Sequence, residues 1–172
     1  MGIYRMIPDV YQDRRGTFVE AWRENESSCK IVQINTSQSA AYVLRGIHYQ
    51  LERPTGKLIR VVQGSVYQVS VDLRRSSPTF KAWHGIHLNS RTQEAVYVPE
   101  GFGNAILAGP EGAVLVYGMT DYFWKPGDRA IRWDDPTLGI NWGTKPGTLT
   151  LSAKDRAAPT FDEALAKGEV FE

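Results

Sequence analysis

Short segments of alternating apolar and polar residues, separated by turns rich in glycine and proline, follow one another along most of this 172-residue chain. Their spacing of about 8–12 residues is typical of antiparallel sandwiches and barrels, because each segment suits one half-buried strand. One helix is predicted near the C-terminus, where residues 160–163 (Thr-Phe-Asp-Glu) form a capping-box pattern and Gly168 ends the segment. The sequence therefore predicts an all-β fold with very little helix.

Turn residues divide the predicted strands. Residues 13–16 (Asp-Arg-Arg-Gly) are expected to join two strands within residues 9–20. Gly64 is expected to make the tight turn of a long hairpin between residues 57 and 72. A further turn is predicted at residues 109–112 (Gly-Pro-Glu-Gly). The polar segment 23–30 is expected to form a short helix or a loop.

Charge and composition exclude several function classes. Lys and Arg total 20 against 19 Asp and Glu, so we expect no wholesale binding to nucleic acid or to an anionic membrane. No apolar run approaches the roughly 20 residues of a membrane helix, and the N-terminus lacks a signal-peptide core. Cys29 is the single cysteine, which suits a reducing cytoplasm, and we expect a surface or packing role for it rather than a nucleophilic one. The length predicts one domain over residues 1–172.

Motif searches leave acid–base chemistry as the main candidate. The sequence has no glycine-rich dinucleotide or nucleoside-triphosphate loop and no Cys/His cluster. His84 and His87 fall on opposite faces of a predicted strand, so we expect neither a metal site there nor any bound metal. Histidine, tyrosine, lysine and aspartate side chains remain available for proton transfer.

Residues 43–50 (Val-Leu-Arg-Gly-Ile-His-Tyr-Gln) are the main candidate for that chemistry. His48 lies between Arg45 and Lys57, and two cations disfavour its protonated form. This pattern indicates a bound anion or a neutral imidazole base, although a hydrogen-bonded histidine at a strand end fits the local sequence equally well. Asp155 could fold back against His48, but spacing alone favours an ordinary loop or capping aspartate.

Polar side chains on two predicted strands suggest a hydrogen-bonding wall. Alternation places Gln33, Asn35 and Ser37 on one face of a strand, and it places Gln68 in the middle of another. Such a row of amides is usually exposed to solvent. If it points inward, it can bind a polar ligand.

Seven stretches, in order, carry a resemblance to a known family. They are residues 43–50, 56–58 (Gly-Lys-Leu), 71–80 (Val-Asp-Leu-Arg-Arg-Ser-Ser-Pro-Thr-Phe), 99–102 (Pro-Glu-Gly-Phe), 120–122 (Thr-Asp-Tyr), 131–136 (Ile-Arg-Trp-Asp-Asp-Pro) and 151–155 (Leu-Ser-Ala-Lys-Asp). From Ile7 to Ala164 the chain resembles the dTDP-4-dehydrorhamnose 3,5-epimerase family. The resemblance implies a cupin-type antiparallel jelly-roll barrel with a few short helices, mainly near the C-terminus.

The resemblance also implies an enzyme activity. The chain is expected to be an isomerase in the biosynthesis of a deoxysugar, for example rhamnose. Family members invert carbons C3 and C5 of a dTDP-4-keto-6-deoxyhexose without a cofactor, as cytoplasmic homodimers. By resemblance, His48 is the base and is paired with Asp155, Lys57 steadies the enolate oxygen, and Tyr117 returns a proton from the opposite ring face.

Substrate-binding residues follow from the same resemblance. Arg15, Phe18 and Glu20 are expected to reach the nucleotide from a dimer partner. The thymidine diphosphate is expected to contact Gln33, Asn35, Arg45, Tyr122 and Lys154.

Three departures from the family pattern are visible. Asn104 stands where the family usually has histidine, Gln68 where it has an acidic residue, and Gly118 where lysine is frequent. We expect Gln68 and Asn104 to face the barrel interior near His48, as an amide pair in place of a charged pair, and to contact substrate. The predicted effect is a changed substrate or inversion at one carbon only. A single-carbon epimerase, a ketoisomerase on a related nucleotide sugar, or a binding module with reduced catalysis are the alternatives.

Overall fold

The structure, a computed structural model, describes residues 2–24 and 29–172. Within them the chain forms ten strands and two short α-helices. The strands are β1 (Tyr4–Met6), β2 (Val10–Asp13), β3 (Gly16–Val19), β4 (Gln33–Ser39), β5 (Leu44–Gln50), β6 (Lys57–Asp72), β7 (Trp83–Asn89), β8 (Ala95–Val98), β9 (Phe102–Met119) and β10 (Asp128–Ala130). The helices are α1 (Ala153–Arg156) and α2 (Phe161–Ala166), and 3₁₀ turns occur at Lys125–Gly127 and Pro146–Thr148. The polar segment 23–30 lies partly outside the described residues.

Two long strands organise the sheets. The antiparallel pair β6 and β9 extends from Lys57 opposite Met119 to Asp72 opposite Phe102. The first half of β6 also pairs with β8, which pairs with β1, and the second half of β9 pairs with β4. The other halves pair with β7 and β5, and β5 pairs with β10. The two strands are therefore shared by two facing sheets, which confirms the all-β, antiparallel jelly-roll architecture.

The predicted hairpin between residues 57 and 72 is wrong, and so is the predicted turn at 109–112. Both glycine-containing segments lie inside strands, at the bend where β6 and β9 pass from one sheet to the other. Gly64 and Gly112 have φ of +75° and +74°, and a Cβ on Gly64 would lie 2.1 Å from the Gly112 carbonyl oxygen. A bulged strand needs the same left-handed residues as a tight turn, so the sequence signal does not distinguish them.

Other local predictions are confirmed. Residues 10–19 form an antiparallel hairpin that turns at residues 14–15. Thr160 accepts a hydrogen bond from the Glu163 backbone, and the Glu163 carboxylate accepts one from the Thr160 backbone, which completes the capping box of α2. Helix α1, capped by Ser152, was not predicted from the sequence because it is only four residues long.

The apolar core has two main parts. Ile59 and Leu115 of one sheet face Leu88 and Ile106 of the other, so this part fills the barrel interior. The second part lies on the outer face of the β5-containing sheet, where the C-terminal segment, including α2, covers it. Tyr117 packs against the interior part, which places its side chain between the sheets. No helix among the described residues is long and apolar enough to cross a membrane.

Candidate active site

A cavity made of two adjoining pockets, which share His48, Lys57 and Tyr117, opens between the two sheets beside the interior core. Strands β5, β6 and β9 supply most of its wall, and β10 closes one side. Its lining includes several groups able to transfer protons or carry charge: Arg45, His48, Lys57, Asn104, Tyr117 and Asp128.

His48 and Asp155 form a hydrogen-bonded pair at this cavity. The His48 Nε2 atom lies 2.5 Å from Asp155 Oδ1, although 107 residues separate the two in sequence. Ser152 donates a hydrogen bond to Asp155 Oδ2 over 2.8 Å and accepts one from the Asp155 backbone, so the cap of α1 also fixes the carboxylate. A carboxylate at Nε2 keeps a proton on that nitrogen and leaves Nδ1 able to accept one.

The ionised form of Asp155 is favoured. Burial raises the pKa of this carboxyl, but the hydrogen bond and charge of His48 outweigh it, with help from Ser152, and the pKa lies below its usual range. The His48 side chain is 30% exposed and that of Asp155 is 3% exposed, so the imidazole reaches the cavity while the carboxylate stays behind it. This is the arrangement of a general base supported by a buried carboxylate.

Backbone geometry in β5 brings His48 into line with β9. His48 lies directly opposite Asn104, with a register shift between Arg45 and His48. Gly46 has a φ of +123°, and a Cβ there would lie 2.6 Å from the Asn104 carbonyl oxygen. Glycine is therefore required for the close approach, and opposite residues of a strand pair point to the same side.

Lys57, the first residue of β6, supplies a cation to the cavity. Desolvation is the main cause that lowers the pKa of its ammonium to about 8. The negative charge of Asp128 raises this pKa, and the positive charge of Lys154 lowers it further. Within residues 2–24 and 29–172 its ammonium has no hydrogen-bond or ion-pair partner, so it remains available to an oxyanion of a ligand.

Tyr117 lines the same cavity from β9. Burial raises the pKa of its phenol, and the charge of Arg45 opposes the increase only in part. The phenol is therefore protonated at neutral pH and can donate a proton to a bound ligand. His48, Lys57 and Tyr117 thus place an imidazole, an ammonium and a phenol around one space.

Neither the other two histidines nor the single cysteine lines the cavity. Both His84 and His87 are exposed on β7, and His87 stacks on Tyr67. In the part of the chain that the structure describes, no three His, Cys, Asp or Glu side chains converge as metal ligands do. Cys29 is buried in a small cluster with Leu58 and Tyr97, which is the packing alternative and not the surface alternative of the two expected roles.

Comparison with known proteins identifies the family. The sequence profile of dTDP-4-dehydrorhamnose 3,5-epimerases matches residues 1–163. The chain belongs to the dTDP-4-dehydrorhamnose 3,5-epimerase family. It is 42% identical over 164 residues to the dTDP-4-dehydrorhamnose 3,5-epimerase of Pseudomonas aeruginosa, a match that covers 91% of this chain and 90% of that protein.

Solved structures resemble the whole chain. The dTDP-6-deoxy-D-glucose-3,5-epimerase of Legionella pneumophila, in complex with dTDP-4-keto-L-rhamnose, is 32% identical with a TM-score of 0.93, and the match covers 99% of this chain and 93% of that one. A 3'-monoepimerase of Streptomyces bikiniensis, in complex with dTDP-quinovose, is 30% identical with a TM-score of 0.90 over 98% of this chain and 88% of that one. The structural neighbours of this chain therefore include proteins named for double and for single epimerisation.

The departures from the family pattern lie at defined places. Gln68 is fully buried, and its Nε2 donates to Asn104 Oδ1 over 2.8 Å and to Ser70 Oγ over 2.7 Å. Its Oε1 is buried without a hydrogen-bond partner in the described residues. Asn104 lines the cavity, so the two amides form one connected wall behind and beside His48. Gly118 is one residue from Tyr117 and packs against Ile31, where a Cβ would lie 2.7 Å away, so a long side chain does not fit there.

Of the residues that family resemblance assigns to the nucleotide, Arg45 lines the cavity and the others lie beside residues that line it. Arg45 lines the cavity and donates to Ser39 Oγ over 2.9 Å. Gln33 donates to Asn35 over 2.9 Å, and Asn35 lies opposite Tyr117 on β9. Tyr122 is exposed, next to the Phe123 that also lines the cavity, and Lys154 forms an ion pair with Asp128.

Three further predicted residues lie elsewhere. Arg15, Phe18 and Glu20 belong to the β2–β3 hairpin and its end, and none of them lines the cavity of its own chain. Arg15 pairs with Asp13 at 2.5 Å, and Phe18 is 67% exposed. One charged residue of the cavity, Asp128, was missed from the sequence, because a lone aspartate in a Pro-Gly turn carries no local signal of function.

Proposed function

We propose that this protein epimerises a dTDP-4-keto-6-deoxyhexose at C3, C5 or both, without a cofactor. The observation that carries the proposal is the His48–Asp155 pair, which opens on the same cavity as the Lys57 ammonium and the Tyr117 phenol. Protons beside a ketone become removable when a base is near and the resulting enolate is stabilised. Family membership and the ligand of the Legionella neighbour support the choice of substrate.

The reaction follows from the roles of four residues. Nδ1 of His48 takes the proton from the carbon beside the ketone, and the C–H electron pair moves into the carbonyl to form an enolate. The Lys57 ammonium stabilises the enolate oxygen, and Asp155 stabilises the imidazolium. Tyr117 then gives its hydroxyl proton to the same carbon from the opposite face, which inverts it. Proton exchange with water restores neutral His48 and the protonated phenol.

The diphosphate of the substrate is the anion that is expected to pair with the cationic side chains near the cavity. Arg45 and Lys154 are proposed to bind it, while Gln33, Asn35 and Tyr122 contact the nucleoside. Charge-assisted hydrogen bonds from arginine to phosphate are strong and directional. The inward row of β4 amides beside Tyr117 supports this placement.

A second candidate outcome is inversion at one carbon only. Asn104 beside His48 cannot carry a proton or a positive charge, and Gln68 behind it is neutral. Resemblance to the 3'-monoepimerase of Streptomyces bikiniensis also supports this outcome. Asn104 is proposed to contact the substrate in either case, and Gln68 is proposed to act through its hydrogen bond to Asn104.

The active form is proposed to be a cytoplasmic homodimer. The β2–β3 hairpin exposes Phe18 and Tyr11, whose rings are 6.3 Å apart, and large exposed aromatic side chains favour an interface. Arg15, Phe18 and Glu20 are then positioned to complete the cavity of the partner chain.

Product analysis tests the reaction. Purified protein is incubated with 4-keto-6-deoxyglucose linked to dTDP, UDP or GDP, and the ring configuration of the product is determined by proton NMR. We expect inversion with the dTDP sugar in preference to the others. Absence of inverted product from all three would overturn the proposal, and ketone migration would identify a ketoisomerase. Binding of the sugars with no turnover would identify a binding module.

Mixed dimers test the shared site. A His48→Ala chain and a Phe18→Ala/Arg15→Ala chain are each expected to have little activity alone. When they are unfolded together and refolded, mixed dimers contain one site with all wild-type residues, so activity returns to about a quarter of the wild-type level on statistical grounds. Light scattering reports the oligomeric state. A monomer, or no recovery with correctly formed mixed dimers, contradicts the shared site.

A further inference from the structure

Asp128 is a carboxylate in the cavity that the proposed reaction does not use. It is the first residue of β10 and lies opposite Gln50 of β5, while Ala130 lies opposite His48. Residues two apart on a strand face the same side, so Asp128 faces the same side as His48. Its side chain lines the cavity together with His48, Lys57 and Tyr117.

Two ammonium groups flank this carboxylate. Lys154 of α1 forms an ion pair with Asp128 Oδ2. Lys57 has no direct partner in the described residues, and the negative charge of Asp128 favours its ammonium form. Because Lys154 immediately precedes Asp155, the ion pair also ties α1, the helix that supports His48, to β10.

The remaining charged and titratable groups that face Lys57 do not replace Asp128. His48 and Arg45 face it from β5, Tyr117 from β9 and Lys154 from α1. Asp128 is the one carboxylate among the described residues that line the cavity, since Asp155 lies behind the imidazole. Without it, a partly buried ammonium would stand among other cations, which disfavours its charged form.

We propose that Asp128 is a positioning residue of this site, a counter-ion that keeps Lys57 charged and holds Lys154 at the cavity. The inference rests on the proposed function only where Lys57 stabilises an enolate; the charge state itself does not depend on turnover. It predicts opposite effects for the two neighbours of Lys57. Loss of the Asp128 charge makes the Lys57 ammonium easier to deprotonate, and loss of the Lys154 charge makes it harder.

The test is a direct titration of Lys57. The full-length protein is labelled with lysine carrying ¹³C at Cε, and the Lys57 signal is identified as the one lost in Lys57→Arg. We expect a midpoint at about pH 8 in the wild type. Asp128→Asn should move it about one pH unit lower, and Lys154→Met should move it higher. A midpoint that stays in place in Asp128→Asn, or that moves the same way in both variants, overturns the proposal.

Controls separate this role from a general loss of structure. Asp134→Asn makes the same change at an aspartate that pairs with Arg132 outside the cavity, and it should leave the Lys57 midpoint unchanged. If Asp128→Asn does not fold, Lys154→Met still tests the cluster, because its shift to higher pH is required.

Kinetics then connects the charge to the reaction. The alkaline limb of kcat/KM should follow the Lys57 midpoint, lower in Asp128→Asn and higher in Lys154→Met. Shifted midpoints in a protein that turns over no nucleotide sugar would refute the proposed function and leave the counter-ion role standing. Turnover of the nucleotide sugar with an unshifted Lys57 midpoint would support the proposed function and refute the counter-ion role.

Discussion

The side-chain amide of Gln68 donates a hydrogen bond to Oδ1 of Asn104 over 2.8 Å, in the barrel interior beside His48. Because Oδ1 of Asn104 is occupied in this way, its NH₂ group remains as the donor for a ligand in the cavity. The site therefore offers a neutral, oriented donor next to the candidate base. Gln68 touches Asn104 and Ser70 but does not line the cavity, so its effect on substrate passes through Asn104.

This coupling predicts non-additive kinetics. Asn104→Ala should lower kcat/KM about two- to tenfold, since one neutral hydrogen bond contributes about 0.5–1.5 kcal/mol. Gln68→Met should lower it by about the same factor in the wild type and have no further effect in Asn104→Ala. Steady-state kinetics of the four proteins measures the coupling, and independent, multiplying losses would show that Gln68 does not act through Asn104.

Removal of the Asp155 carboxylate is expected to cause a large loss of activity with little loss of substrate binding. Asp155→Asn no longer holds the proton on Nε2 of His48 or stabilises the imidazolium, so kcat should fall about 10²–10⁴-fold while KM changes little. Asp162→Asn, at an aspartate of α2 that bonds Thr137, is the matched control and should retain wild-type kcat. An Asp155→Asn protein with near-normal kcat would exclude the pair as the base.

Removal of the Tyr117 hydroxyl is expected to affect the exchange of substrate protons with solvent less than the inversion of the ring carbon. Tyr117→Phe keeps His48 and Lys57 but removes the acid on the other ring face, so deuterium exchange from solvent should survive better than net epimerisation. Both rates come from one NMR time course in D₂O. Tyr42→Phe, at a tyrosine outside the cavity lining, should change neither rate. Equal losses of exchange and inversion in Tyr117→Phe would contradict its role as the returning acid.

Asp72 predicts an acid-dependent contribution to stability. Burial raises the pKa of its carboxyl, but hydrogen bonds from Arg74, Ser77 and Thr79 outweigh it and hold the pKa well below the usual range. Because the pKa of Asp72 is lower in the folded state, its ionised carboxylate stabilises the fold at pH values above its unfolded-state pKa of about 3.9. This stabilisation is lost as the pH falls toward the folded-state pKa.

Asp72→Asn should therefore lower the free energy of unfolding by about 2–3 kcal/mol at about pH 7, and the difference should shrink below about pH 4. Urea unfolding at fixed protein concentration, at several pH values, measures the difference. A constant difference across that range would show that the ionised carboxylate is not its source.

Sequence patterns predicted the strand class and the shared face of the β4 amides, because alternation is a local property; they left open whether that face points inward. Gln33 and Asn35 are less exposed than their neighbours on β4, as alternation suggested. The bends at Gly64 and Gly112 were misassigned as turns, since a positive φ is the same signal in a bulge and in a hairpin.

The site depends on contacts that no local pattern contains. His48 and Asp155 meet across 107 positions, and only the family resemblance, not spacing, pointed to their pairing. Asp128 lies at the cavity because β10 pairs with β5. A strand of three residues is too short for its pairing to be predicted from the sequence. The hydrogen bond between Gln68 and Asn104 likewise required the β6–β9 register, which places the neighbouring Ser70 opposite Asn104.

Deuterium incorporation tests the central claim most directly, because it detects proton removal whether or not inversion follows. The protein and its His48→Ala variant are incubated with dTDP-4-keto-6-deoxyglucose in D₂O, and deuterium at C3 and C5 is followed by NMR. The wild type should incorporate deuterium at one or both carbons, and His48→Ala at neither. No incorporation by the wild type, or incorporation that persists in His48→Ala, would contradict the assignment of His48 as the base.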